Sequence, residues 1–173
     1  MNNNLNDTNT TDGVYYRIPS HPAIISALGR CLYNYLALEE SVVAIIYEAD
    51  ETALTLVRTK MGNAKVQALT KFTKNLQSNG APQHLIDTLE KAIAAFDTIT
   101  RKYRNAIAHA TPFTAGKDES GSYMPGLFFR IENTYLYKPD DLHRVALAIE
   151  EAIDPLGNAR MAVREYIQST SKK

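Results

Sequence analysis

The sequence predicts an all-α fold, an antiparallel bundle of four to five helices with a small β-hairpin inserted before the last helix. Three observations predict it. Apolar residues recur at three- and four-residue spacing over several long stretches. A single pair of short β-branched and aromatic runs interrupts them. Of the 173 residues 45% are hydrophobic, and a domain of this size buries about 70% of the surface its unfolded chain exposes. Residues 14–170 can therefore close one core without a disulfide or a metal.

Residues 1–13 are almost entirely Asn, Asp and Thr, too polar to offset chain entropy, and are expected to be a disordered tail. From His21 to about Glu48, Ile24, Leu28, Leu32, Tyr35, Val42 and Ile46 keep helical spacing behind Pro22, a helix-start residue. A second helical stretch runs from about Asp50 to Gln77. It is expected to break near Met61-Gly62-Asn63, with Asn63 able to cap its second half. After the stop at Asn79-Gly80-Ala81-Pro82, a third helix carries Leu85, Leu89, Ile93, Phe96, Ile99, Tyr103 and Ile107 on one face and reaches about Ala110. Thr111 to Gly126, rich in Gly, Ser, Thr, Pro and charge, reads as an exposed loop. Leu127 to Ile131 and Thr134 to Tyr137, joined by Glu132-Asn133, form the expected hairpin. From Pro139 onward a last helix follows, which Asp154-Pro155 either kinks or restarts.

The charge count excludes some classes of function. Nineteen basic residues cancel nineteen acidic ones, which argues against a protein that coats nucleic acid through a general positive field. Cys31 stands alone, and His21, His84, His109 and His143 are scattered, so no zinc-ligand spacing and no disulfide framework exist; no metal or other cofactor is expected. With one thiol, no apolar run long enough to span a bilayer and no signal-peptide pattern, the expectation is a cytoplasmic protein without a membrane partner.

Two places carry a chemical contradiction or opportunity. In the first helix, Leu28, Leu32, Tyr35, Val42 and Ile46 fall within about 40° of one direction, and Glu39 points along it. A carboxylate there either has a cationic or hydrogen-bonding partner on another helix or sits solvated at the rim of a shifted stripe. The end of the third helix offers the partner. Ile99, Tyr103, Ala106, Ile107 and Ala110 make its buried side, while Arg101, Asn105 and His109 follow at four-residue spacing as a polar stripe. Arg104 lies about 140° from His109 on the stripe's other flank. Arginine, asparagine and histidine suit a phosphodiester: a planar cationic fork, an orienting amide and an acid/base that titrates near neutrality.

Arg104-Asn105-Ala106-Ile107-Ala108-His109 resembles the signature of the HEPN superfamily, an arginine, a polar residue directly after it and a histidine after four intervening positions, near the end of a bundle helix. Glu39 is similar to the carboxylate that many members place beside the motif arginine. The resemblance implies a metal-independent endoribonuclease, often a toxin or an antiviral defence effector controlled by an antitoxin or a defence-system partner. It implies Arg104, Asn105 and His109 as active-site residues, supported by Glu39 and Arg101, and a homodimer whose two motifs face one cleft. In such a cleft two histidines would serve as base and acid and two arginines would hold the phosphate, leaving a 2′,3′-cyclic phosphate on RNA. Where some family toxins have a tyrosine that a partner nucleotidyltransferase modifies, two residues after the histidine, this chain has Thr111, so that control is in doubt. Other members keep the bundle for binding alone, which leaves a catalytically silent binding or dimerisation module, or a subunit of a larger complex, as the rival reading.

The remaining features are weaker. Arg58, Lys60, Lys65, Lys71 and Lys74 against Asp50 and Glu51 make the best wall for holding RNA. The same run also fits a merely solvated face. The zero net charge is unevenly spread: positive charge collects on the second helical stretch and around Arg101 to Arg104, which permits a narrow cleft.

Overall fold

The computed structural model describes residues 10–11, 14–15, 22–117, 119–121, 123–131, 134–136 and 139–171. It is a helix bundle carrying a small sheet. The first element is β1 (Thr10–Thr11), which pairs antiparallel with β2 (Val14–Tyr15) in a two-residue ladder, so two residues of the N-terminal tail are described. β-branched Thr and Val suit extended backbone and bring four residues into register. The rest of that tail lies outside the described residues.

Helix α1 (Pro22–Tyr47) is the central strut and packs against four other helices. Its buried face differs from the expected stripe. Ala27, Cys31, Leu38, Val42 and Ile45 are fully enclosed, whereas Leu32 is 56% exposed. The core-facing sector is rotated towards Asn34, which is tolerated inside because its Nδ2 donates to Ala146 O (3.1 Å) and to Glu150 Oε2 (3.4 Å).

The second helical stretch breaks where the sequence indicated, into α2 (Ala53–Arg58) and α3 (Gly62–Ser78). The cap is Met61, not Asn63, and no side chain caps the helix. The glycine begins α3 because space is short: a Cβ at Gly62 would overlap the Tyr35 hydroxyl and stand 2.8 Å from Thr100 Cγ2. Helix α4 (Gln83–Ile99) folds back on α3 through the short Asn79–Pro82 connection, in which Gly80 takes the positive φ (77°) that closes the turn.

The third predicted helix does not continue unbroken. A π-helical turn, Thr100–Arg104, follows α4, and α5 (Asn105–Ala108) ends the rod. Thr111 to Gly126 is not a loop: β3 (Thr111–Lys117) and β4 (Tyr123–Ile131) pair antiparallel, and β5 (Thr134–Leu136) completes a three-stranded sheet in the order β3-β4-β5. Pro112 is accommodated because β3 is an edge strand, and Pro125 sits beside the register shift between Thr114 and Lys117. Strand partners supplied what local Gly and Ser content obscured. The hairpin itself has the expected register, with Ile131 opposite Thr134 and Phe129 opposite Leu136; Tyr137 lies outside the described residues. Strand β4 packs beneath α5 and touches α1, so the sheet holds up the end of the rod that carries His109.

The last helical stretch is two helices, α6 (Pro139–Glu151) and α7 (Ile153–Thr170), restarted at Ala152 with Asp154 and Pro155 in the first turn of α7. The buried apolar side chains of α1, α3, α4, α6 and α7 make one cluster around Leu38, Leu69, Leu89, Phe96, Ile149 and Leu156. At its far end Glu48 ties α1 to α7: Arg164 donates to both carboxylate oxygens (2.7 and 3.0 Å) and Arg160 to Oε1 (2.7 Å). Those arginines, Arg164 first, hold the Glu48 carboxyl down at about 2. No helix among the described residues is long and apolar enough to cross a membrane.

Candidate functional site

The π turn decides which motif side chains meet. An i→i+5 turn is wider than an α turn, so the four-residue stripe expected from Arg101 through Asn105 to His109 is broken at its first step. Arg101 swings outward, 73% exposed, and pairs with Asp97 (2.6 Å). Arg104 is half-buried and lines a cavity of about 310 Å³ with its neighbours Ile107 and Ala108. Its Nη1 donates to Asn105 Oδ1 (3.3 Å), which orients the fork, and it makes no ion pair among the described residues. His109 is exposed at the C-terminal cap of α5, with its backbone N–H bonded to Asn105 O (3.2 Å). It is not part of the cavity wall.

Glu39 lines the same cavity as Arg104. Its partner, however, is on α3 and not on the motif helix: Lys65 Nζ donates to Glu39 Oε2 at 2.8 Å, with the two side chains only 6% and 17% exposed. The expected Arg104 pairing is thus replaced by a lysine that the sequence reading placed on an RNA-holding wall. Lys65 faces inward because α3 packs on α1 at this level, which puts its ammonium against the one carboxylate there. The other members of that wall divide. Arg58 is paired with Glu40, while Lys60, Lys71 and Lys74 are exposed.

A hydrogen-bond chain supports the carboxylate from beneath. Tyr35 is buried between α1, Gly62 and the π turn, with its ring stacked on Phe96 at 6.4 Å between centroids. Its hydroxyl donates to Glu39 Oε1 (3.1 Å) and lies 3.4 Å from Thr100 Oγ1. A phenol has one proton, so Thr100 is the donor in the second bond. Burial pushes the Tyr35 phenol up to about 12, partly opposed by the Thr100 hydrogen bond and aided by Glu39, so it remains a donor at neutral pH. The buried Thr100 of the π turn, Tyr35 and Glu39 form one continuous line into the cavity. Sequence periodicity missed Tyr35 and Thr100 as site residues because an apolar helix position and a mid-helix threonine carry no signal of their own.

Compared with known protein families, curated proteins and solved structures, the chain matches none. Its chemistry therefore has to be argued from this cavity. The mouth is aliphatic: Leu32, Leu36 and Met61 are 56%, 54% and 66% exposed around it. Cys31 lies at the wall with Sγ donating to Leu142 O (3.2 Å), and burial pushes its thiol up to about 11, which leaves it protonated and poor as a nucleophile. What remains is an arginine without an ion-pair partner among the described residues, a compensated carboxylate, apolar walls and an exposed histidine at the far end of α5. An arginine so placed suits an anion that brings an apolar or aromatic group with it.

Proposed function

We propose that this protein is a metal-independent endoribonuclease of HEPN type that works as a cytoplasmic homodimer, in the class of toxins and antiviral defence effectors. The reading rests on the Arg104-Asn105 pair and His109, and the observation that carries it is Arg104. Its guanidinium borders an open cavity and makes no ion pair among the described residues, because the carboxylate of that cavity, Glu39, is taken by Lys65; the amide of Asn105 holds it. A π turn that ends on the motif arginine adds support, since such turns are frequent at functional sites.

In a two-fold cleft, His109 of one protomer takes the proton of the ribose 2′-hydroxyl. The oxygen then attacks the adjacent phosphorus, and the second protomer's histidine protonates the departing 5′-oxygen. Arg104 stabilises the charge on the phosphorane oxygens. The products are a 2′,3′-cyclic phosphate and a 5′-hydroxyl end. The test is cleavage of single-stranded RNA by wild type and by His109→Ala, with end-group analysis and light scattering on the same samples. Cleavage that survives His109→Ala, or a monomer at micromolar concentration that cleaves, overturns the assignment.

A second reading, a catalytically silent binding module or complex subunit, is favoured by the exposed Leu32, Leu36 and Met61 at the cavity mouth. Absence of cleavage with an intact dimer selects it.

A further inference from the structure

The cavity holds more chemistry than phosphate binding requires. Arg104 alone would serve an anion; the apolar walls and the Glu39 carboxylate have no part in that. Glu39 would repel a fatty acid or a second phosphate, so the group lying against it must present hydrogen-bond donors. A ligand that joins an anion, an apolar body and a donor edge is a nucleotide.

The hydrogen bonds of Glu39 narrow the base. A carboxylate has about four acceptor positions, two on each oxygen. Tyr35 occupies one on Oε1 and Lys65 one on Oε2, which leaves one on each oxygen for a two-donor edge. Guanine presents two adjacent donors, N1–H and the 2-amino group, on its Watson–Crick edge. Adenine and cytosine each place a ring-nitrogen acceptor beside their amino group, and uracil flanks its one N–H with two carbonyls; all three set an acceptor against the carboxylate. We infer that the cavity between Leu32 and Leu36 of α1, Met61, and Ile107 of α5 is a guanine-reading subsite for single-stranded RNA, with Glu39 as the specificity residue and Arg104 on the adjoining phosphate. The cavity of about 310 Å³ is at the small end of ligand pockets, and it has room for a nucleobase. Only an unstacked base can enter it, which makes the substrate single-stranded.

This inference rests on the ribonuclease reading for its choice of RNA, and a binding measurement separates the two. Short fluorescent single-stranded oligonucleotides differing at one position, guanine, inosine or adenine, are titrated with the full-length protein and followed by anisotropy. Inosine lacks only the 2-amino group, so the comparison on wild type needs no variant. The expected order is guanine tightest, inosine about fivefold or more weaker, and adenine weaker by about tenfold or more, in line with the discrimination of a bidentate contact. Glu39→Gln, which turns one acceptor into a donor, should bring the three within about twofold of one another while circular dichroism shows an intact helical fold. Equal affinity of wild type for guanine and inosine oligonucleotides overturns the subsite, whether or not Glu39→Gln folds. Guanine-selective binding without cleavage overturns the ribonuclease reading and keeps the subsite; failure to bind any oligonucleotide overturns both.

Discussion

Replacing Lys65 with methionine tests whether the Glu39 ion pair holds the bundle together as well as the cavity. The methionine keeps most of the aliphatic stem, so the change removes the ammonium with little loss of packing. What is left is a Glu39 carboxylate 17% exposed, with one remaining donor, the Tyr35 hydroxyl. Breaking a buried pair by removing one partner costs about 3–5 kcal/mol; the retained hydrogen bond and partial hydration of Glu39 reduce this to about 2–4 kcal/mol. For a chain of this length that is a fall in Tm of roughly 4–16 °C. Urea unfolding of wild type, Lys65→Met, Glu39→Gln and the double variant closes a double-mutant cycle. The double variant should be more stable than Lys65→Met alone, because no uncompensated charge remains, and the deficit should persist at high salt, since buried pairs are weakly screened. Additivity of the two single changes within about 0.5 kcal/mol would refute the buried-pair argument.

Gly62→Val should cost about 1–3 kcal/mol by overpacking, because its side chain enters the space of the Tyr35 hydroxyl and Thr100; it should also reduce RNA cleavage by displacing the π turn that positions Arg104, and unchanged melting and activity would contradict that role. The depressed Glu48 carboxyl contributes stability that is present above its ordinary value of 4.5 and lost as pH falls towards about 2. Glu48→Gln should therefore flatten the dependence of the urea midpoint on pH across that window, and added salt should weaken the effect because Arg160 and Arg164 are half-exposed; a parallel acid loss in wild type and variant would remove the clamp. If exposed Lys71 and Lys74 hold RNA, reversing both to glutamate should weaken binding to all sequences alike and lower the salt slope by roughly 1.4, whereas loss confined to guanine-containing RNA would place their effect in the cavity.

How much of this was legible in the sequence depends on what each residue's position reports. The bundle, the break before α3, the hairpin from Leu127 and the restart near Pro155 follow from apolar spacing and from Gly and Pro, which act locally. Strand β3 does not, because its own composition carries no strand signal and the Gly- and Ser-rich connection to its partner β4 reads as loop. At the site, the sequence placed an anomalous carboxylate at Glu39, either partnered from another helix or solvated at the rim, and the structure supplies a partner, though from α3. The choice of Lys65 over Arg104 could not be read from a helical wheel, since it depends on the level at which α3 crosses α1, and that level is fixed by the close approach of Gly62 to Tyr35. Projection at 100° per residue also fails beyond Ile99, where the backbone changes period and sends Arg101 and Arg104 to different surroundings. With Glu39 taken by Lys65, Arg104 makes no ion pair among the described residues. An arginine paired with Glu39 would be a strut between helices, whereas with Glu39 taken by Lys65 the guanidinium keeps a charge that an anion entering the cavity can meet, which is what the proposed function requires of it.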